Sequence, residues 1–343
     1  MSRGGGAGGV FTDDHAGFDR PGKRSRPRTK DRPAYSRLPL GRVITIDRGR
    51  YRCLVAGVTV TAAKARSLGR KSVIVGDLVR LDADVSGRSG SLARIAAVAE
   101  RTTVLRRSAD DADPGERPIV ANADQLAIVT ALADPEPRVG MIDRILVAAY
   151  DAGLDPLLCL TKADLAGPAD LTAAYAPLDV ATFALAPDCD LGPLRARLAG
   201  RVSVFVGHSG VGKSTLVNAL IPGAARTVGE VNEATGRGRH TSTSAIALEL
   251  PGGGWVIDTP GVRSFGLSHV TAEHVLGAFR DLAAAAEDCP RGCTHQADQP
   301  ECALDEAVAR GGLPAARVAS FRRIELAGLT PSPAARPSRP ASP

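Results

Sequence analysis

Aromatic residues are scarce in this chain, 3% of 343 positions with a single tryptophan. Its cores must therefore be built from Ala, Val, Leu and Ile, which fill space by interdigitated aliphatic branches. Long apolar runs are also missing. No stretch approaches the ~18 residues needed to cross a bilayer. The N-terminus is Gly-rich and then Arg-rich, without the apolar centre of a secretory signal. These absences argue against a membrane protein and lead us to expect a cytoplasmic one. Cysteines number only six, which in such a compartment implies metal binding or plain burial, not a disulfide framework. Acidic residues fall short of basic ones, and the net charge of +6 favours a polyanionic partner.

What is present centres on Gly207-His208-Ser209-Gly210-Val211-Gly212-Lys213-Ser214, which fits G-x-x-x-x-G-K-[ST] at every fixed position. The apolar run Val202–Val206 before it reads as a buried strand. Thr215 to Ile221 after it reads as a helix stopped by Pro222-Gly223. Strand, glycine loop and helix N-terminus together make an anion cradle from backbone N–H groups. Lys213 is placed to reach β- and γ-phosphates, and Ser214 to hold Mg²⁺.

Two further stretches end predicted strands. Thr161-Lys162-Ala163-Asp164 follows the strand Leu157–Leu160, at the sheet edge where nucleotides bind. A carboxylate at Asp164 accepts two parallel hydrogen bonds. Guanine offers that donor pair through N1–H and its 2-amino group, and adenine does not. Lys162 is expected along the base plane, and Thr161 against the phosphate loop. Asp258-Thr259-Pro260-Gly261 follows the strand Trp255–Ile257. There Asp258 fits a water-mediated Mg²⁺ contact, and Gly261 lets the backbone approach a γ-phosphate. Between loop and strand lies Gly236-Arg237-Gly238-Arg239-His240-Thr241-Ser242-Thr243, a basic, hydroxyl-rich stretch. It is either a segment ordered by phosphate and Mg²⁺, with Thr241 or Thr243 as the metal's hydroxyl ligand, or a plain surface loop.

The rest divides by texture. Residues 1–39 form a basic arm with too little apolar content to fold alone, either a nucleic-acid-binding arm or a solvated tail. Residues 40–107 carry about five short β-type runs, among them Val73–Leu81, and are expected to form a small OB-like β-barrel. Lys64, Arg66, Arg70, Lys71, Arg88, Arg101, Arg106 and Arg107 are expected to decorate it, for RNA or for a neighbouring domain. Asp110–Pro118 reads as a linker. Residues 118–270 alternate strands and helices, as a parallel α/β sheet does. Residues 271–329 open with a helix marked by Val275, Leu276, Phe279 and Leu282, followed by Cys289, Cys293, His295 and Cys302. Three thiolates and an imidazole suit a structural tetrahedral Zn²⁺. Cys53, Cys159 and Cys189 sit singly and read as packing residues. Residues 330–343 form a Pro/Ser/Ala-rich tail, expected to be disordered.

The order is informative: the base-reading motif precedes the phosphate loop, the reverse of the familiar small GTPases. The chain is expected to be a multidomain protein with an OB-like barrel, a circularly permuted P-loop GTPase domain and a small helical zinc-binding domain. In that order these parts resemble the bacterial ribosome small-subunit-dependent GTPase family, RsgA/YjeQ. Val75-Gly76-Asp77, Thr161 to Asp164, Gly207 to Thr215, His240 to Thr243, Asp258 to Gly261 and the cysteine cluster carry the resemblance. It covers about residues 40–328. It implies GTP hydrolysis to GDP stimulated by the small ribosomal subunit and a role in late subunit maturation; with it we expect rRNA binding through the barrel and the zinc domain, and a monomer.

Two departures accompany it. The family usually spaces its zinc ligands C-x4-C-x-H-x5-C, whereas here the outer intervals enclose three and six residues. Where many GTPases place a water-orienting Gln, this chain has Val262. Lys213 and His240 are the expected catalytic residues, with Arg237 or Arg239 as alternative donors of transition-state charge. The other reading is a zinc-stabilised RNA-binding protein whose guanine-nucleotide site regulates binding with negligible hydrolysis.

Overall fold

The computed structural model describes residues 35–69, 72–110, 113–224, 245–259, 267 and 270–329, with only the backbone described at 107–110, 113–116 and 328–329. The basic arm, Arg70, Lys71 and the tail beyond 329 lie outside the described residues.

Strands β1 (Leu40–Asp47), β2 (Arg50–Val55), β3 (Val58–Lys64) and β4 (Leu78–Ala83) bury every second side chain over most of their length, as period-2 segments do, while β5 (Ala93–Val98) buries Ile95 and Ala96 together. Val43, Cys53, Val60, Val79, Leu81 and Ile95 meet in an aliphatic centre. Arg48-Gly49 between β1 and β2 has positive φ at both residues, as the two-residue turn that suits twisted hairpins requires. The pairing runs β1-β2-β3-β5-β4 and returns to β1, so the sheet closes into the expected five-stranded barrel and leaves no open edge.

Val73–Leu81 was expected to be one strand, but only its end enters β4. Its first half is a buried connector. Asp77 is fully buried, and its carboxylate accepts from the Ile74 N–H at 2.8 Å and from the Arg101 guanidinium at 2.7 and 2.8 Å. Arg101 therefore does not decorate the surface, because an unpaired carboxylate at that depth is too costly and claims its charge.

Residues 110–118 are likewise not a loose linker. β6 (Val104–Asp110) and β7 (Asp113–Ala121) pair antiparallel, with two register shifts. Leu105 and Val120 are buried at the ribbon's base. A two-stranded ribbon pairs through backbone groups and need not alternate apolar residues, so composition gives no signal for it.

β7 leads into the α/β half. Its elements in order are β8 (Gln125–Ala131), α1 (Val139–Asp151), β9 (Asp155–Thr161), α2 (Ala169–Tyr175), β10 (Ala181–Leu185), α3 (Gly192–Leu198), β11 (Val202–Val206), α4 (Lys213–Leu220), β12 (Ile246–Glu249) and β13 (Trp255–Asp258). The sheet order is β10-β9-β8-β11-β13-β12. The first five are mutually parallel and β12 is antiparallel. Every residue of β8 and β11 is buried, as central parallel strands covered on both faces must be. The chain moves outward from β8 to β10 and returns on the other side at β11. The β8–β11 boundary is therefore a topological switch point, where open α/β sheets bind ligands. β1 also pairs with β12 at Thr45 and Ile246, which joins barrel and sheet in one eleven-stranded array.

The C-terminal helices are α5 (Ala272–Gly277), α6 (Arg280–Ala286), α7 (Ala303–Ala309) and α8 (Ala315–Leu329). The single helix expected over Val275–Leu282 is broken at Phe279, which leaves helical geometry at φ −109 and ψ 88. The break turns its ring, 3% exposed, edge-on against Tyr150 at 4.8 Å and Phe321 at 6.0 Å. Such ring pairs are each worth ~1 kcal/mol, and Tyr150 lies on α1. The core under these helices is thus continuous with that of the α/β half. Among the described residues no helix is long and apolar enough to cross a membrane.

The barrel meets the α/β half at Gly76. Its φ is +89, its N–H donates to the Val43 carbonyl at 2.9 Å, and a Cβ there would lie 2.1 Å from the Ala121 carbonyl oxygen. Gly76→Ala is expected to lower unfolding free energy by at least ~2 kcal/mol in urea titrations. An unchanged midpoint would show that the junction yields.

Candidate functional site

β11 delivers Gly207 to the carboxyl edge of the sheet, and the loop closes onto α4 through Gly212. Gly212 has φ +84 and faces the Thr161 side chain, with its carbonyl accepting from the Leu216 N–H at 2.9 Å. Only a residue without a Cβ adopts this conformation readily. Lys213, 9% exposed, sends its ammonium to the Asp258 carboxylate at the end of β13 and to the Thr259 carbonyl at 2.7 Å. Ser214 and Thr215 are exposed on the first turn of α4. The Thr259 hydroxyl donates to the Phe205 carbonyl at 2.7 Å, fastening the β13 terminus to β11. Lys213 and Asp258, 45 residues apart, therefore share one polar centre beside the loop.

The Thr161–Asp164 stretch ends β9, two strand positions from β11, or about 10 Å. The Thr161 hydroxyl lies 2.5 Å from the Val211 carbonyl inside the phosphate loop, and the Thr130 carbonyl is 3.2 Å away. It braces the loop as expected. Lys162 sits at φ +57 and its ammonium donates to the Asp134 carbonyl. The Ala163 N–H donates to the Leu185 carbonyl at 3.1 Å. Asp164 is exposed at the rim, with its carboxylate open to a ligand.

Two neighbouring segments escaped sequence reasoning. One is the loop after β8, whose Asp134 holds Lys162 and whose Pro135 lines a cleft with His208, Met141 and Ile142. The other is the turn at Ala186–Cys189 after β10. Both occupy carboxyl ends of parallel strands, and that placement was the signal available for finding them. His240, Thr241, Thr243, Arg237, Arg239, Gly261 and Val262 lie outside the described residues.

A second cluster lies among the C-terminal helices. The ligand atoms of Cys289, Cys293, His295 and Cys302 all fall within 4.8 Å of one another. His295 Nδ1 is 3.6 Å from the sulfurs of Cys289 and Cys293 and 4.0 Å from that of Cys302. A tetrahedral ion with bonds of ~2.3 Å to sulfur and ~2.0 Å to nitrogen spaces its ligands about 3.5 Å apart. The residues present therefore fit such an ion despite their shifted spacing. Burial pushes the Cys289 thiol up to about 11, so only a bound cation draws off its proton near neutrality. Burial, then the nearby Arg322 charge, holds His295 below its usual range, which keeps the imidazole neutral and able to ligate. The Ala303 N–H donates to Cys289 Sγ at 3.3 Å. This donor set can hold a metal ion.

A phosphate loop at one strand end and Asp258 at the next, with the base-reading motif ahead of both in the chain, define a circularly permuted P-loop GTPase fold. It is preceded by an OB-like barrel and followed by a Cys₃His module. A family model, RsgA GTPase, matches residues 98–268. The small ribosomal subunit biogenesis GTPase RsgA of Ectopseudomonas mendocina (strain ymp) is 45% identical over 222 residues, covering 62% of this chain and 64% of that protein. The chain thus spans less than two thirds of that relative's length. The small ribosomal subunit biogenesis GTPase RsgA 1 of Vibrio vulnificus (strain YJ016) is 38% identical over 265 residues, 75% of this chain and 74% of that protein. The crystal structure of YjeQ from Thermotoga maritima superposes with a TM-score of 0.62 at 25% identity, covering 84% of this chain and 97% of that one. The chain belongs to the RsgA GTPase family.

One buried acid beside the Cys₃His cluster makes stability pH-dependent. Glu325 on α8 is 2% exposed and accepts from the Gln296 amide at 2.8 Å. Burial pushes its carboxyl up to about 7. A carboxyl whose folded value is raised destabilises the fold once the unfolded chain would be ionised, so its penalty grows from about pH 4.5 to about pH 7. Glu325→Gln is expected to raise the melting temperature at pH 8 and to leave it nearly unchanged at pH 5. A parallel rise at both pH values would count against a buried neutral acid.

Proposed function

We propose that this chain binds GTP with Mg²⁺ and hydrolyses it to GDP and phosphate, acting as a checkpoint in late maturation of the small ribosomal subunit. The observation that carries the reading is the bond from Thr161 to the Val211 carbonyl, which seats the base-reading stretch against the phosphate loop. In this reading the main chain from Gly207 to Thr215 wraps the phosphates, Lys213 neutralises their charge, and Asp164 accepts from guanine. Lys162 and Ala163 flank the base. Ser214, Thr241 and, through water, Asp258 surround Mg²⁺, with Gly261 at the γ-phosphate. Mg²⁺ supplies charge neutralisation between the phosphates. Cys289, Cys293, His295 and Cys302 hold one structural Zn²⁺, as the soft donor set supports.

The partner rests on three supports. The relatives' printed names describe small ribosomal subunit biogenesis, the net charge is +6, and Arg50, Arg66 and Arg88 are exposed on the barrel. We assign residues 40–107 and 271–329 to rRNA contact and 118–270 to turnover, in a cytoplasmic monomer. Backbone-dominated RNA contacts weaken steeply with salt.

The deciding experiment is phosphate release with and without purified small subunits. A strong stimulation is expected. Tight guanine-nucleotide binding with no release in either case would favour a regulated RNA-binding protein instead. Asp164→Asn replaces an acceptor pair with one donor and one acceptor. It should weaken GDP binding tenfold or more, about 1.4 kcal/mol, while improving xanthosine diphosphate, whose 2-position is a carbonyl. Unaltered preference would remove Asp164 from the base site. His240→Ala should keep nucleotide affinity and lose subunit-stimulated turnover. Equal stimulation in variant and parent would clear His240 of that role.

A further inference from the structure

Two consecutive arginines on α8 reach opposite partners. Arg322 turns to the metal cluster. Its Nε donates to the His295 carbonyl at 2.6 Å, and its Nη2 lies 3.8 Å from the Cys302 sulfur. Asp305 holds the same guanidinium at 2.7 and 2.8 Å. Arg323 turns to the α/β half. Its guanidinium lies 3.3 Å from Oδ2 of Asp143 on α1 and 4.9 Å above the ring of Tyr175. The Tyr175 hydroxyl donates to Oδ1 of the same carboxylate at 2.9 Å. Asp143 is 3% exposed, so its charge depends on these two partners. Arg144, the next residue of α1, donates to the Ala327 carbonyl of α8 at 2.9 Å. The opposite side of α1, through Met141, Ile142 and Ile145, walls the cleft whose far side is Gly207, His208 and Val211 of the phosphate loop.

A helix transmits displacement because its hydrogen-bonded turns do not stretch, and packed interfaces switch between arrangements more readily than they deform. We propose that the metal centre and the nucleotide site are energetically coupled through α8 and α1, with Arg322 reading the metal cluster and the Arg323–Asp143–Tyr175 contact passing its state to the wall of the phosphate loop. This rests on the nucleotide and metal readings above.

Coupling of this kind is reciprocal, so each ligand must change the other's affinity by the same factor. The test is a competition titration of zinc against a chromogenic chelator, with and without saturating GDP. It is run on the full chain and on Arg323→Met and Asp143→Asn. Arg323→Met keeps the stem and removes the charge. Asp143→Asn keeps an acceptor for Tyr175. In the parent, GDP is expected to tighten zinc fivefold or more, within the range typical of coupled sites. In either variant the effect should fall below twofold while both ligands still bind. Should Arg323→Met fail to fold, Asp143→Asn carries the test alone. Independent affinities in the parent, or undiminished coupling in the variants, would overturn the proposal. A chain that took up no guanine nucleotide, or no zinc, would instead contradict the reading of those sites.

Discussion

The arrangement depends on β11 pairing in parallel between β8 and β13. Ser203 lies opposite Gln125, and the Gln125 amide donates to the Ser203 hydroxyl at 2.8 Å in a fully buried position. A buried polar pair of this kind favours one register, because a slip breaks the bond between the two side chains at a site without water. That register aligns the ends of β8, β9, β11 and β13 on one edge. The phosphate loop, Thr161–Asp164 and Asp258 then become neighbours although they come from distant parts of the chain. Reordering the elements along the chain leaves the edge intact, since the site is defined by strand ends and not by sequence order.

The other parts are tied to that sheet without slack. β1 continues it through β12, and Arg42 of β1 reaches across to the Trp255 ring at 5.7 Å. Burial lowers the Arg42 pKa, with Asp124 opposing the shift. The Val75–Asp77 connector is gripped by Val43, Arg101 and Asn122. On the opposite flank Arg317 bonds to the Pro177 carbonyl, Asp179 and Asp281 while its guanidinium covers Phe279. Joints fixed by buried or half-buried charges move as units.

Several arginines that composition alone would offer to an anionic partner are already committed inside the molecule: Arg101 to Asp77, Arg322 to Asp305 and the His295 carbonyl, Arg323 to Asp143. Among its described residues the barrel still exposes Arg48, Arg50, Arg66, Arg88, Arg94 and Arg106.

Much was determined by the sequence by itself: the phosphate loop, both strand-end motifs, the Cys₃His set, the barrel's hairpins and the permuted order. Each rests on short-range chemistry, a turn needing positive φ, a strand alternating faces, or thiols close enough in the chain to share an ion. Only the tertiary structure decided that 110–118 pairs as a ribbon, that the helix breaks at Phe279, that Arg101 turns inward, and that Asp134 holds Lys162. It alone decided that Asp143 finds its countercharge at Arg323. In each case the deciding partner lies far along the chain or the deciding force is desolvation. Neither is encoded in a local pattern, because the cost of burying a charge exists only once the fold has chosen which surfaces lose water.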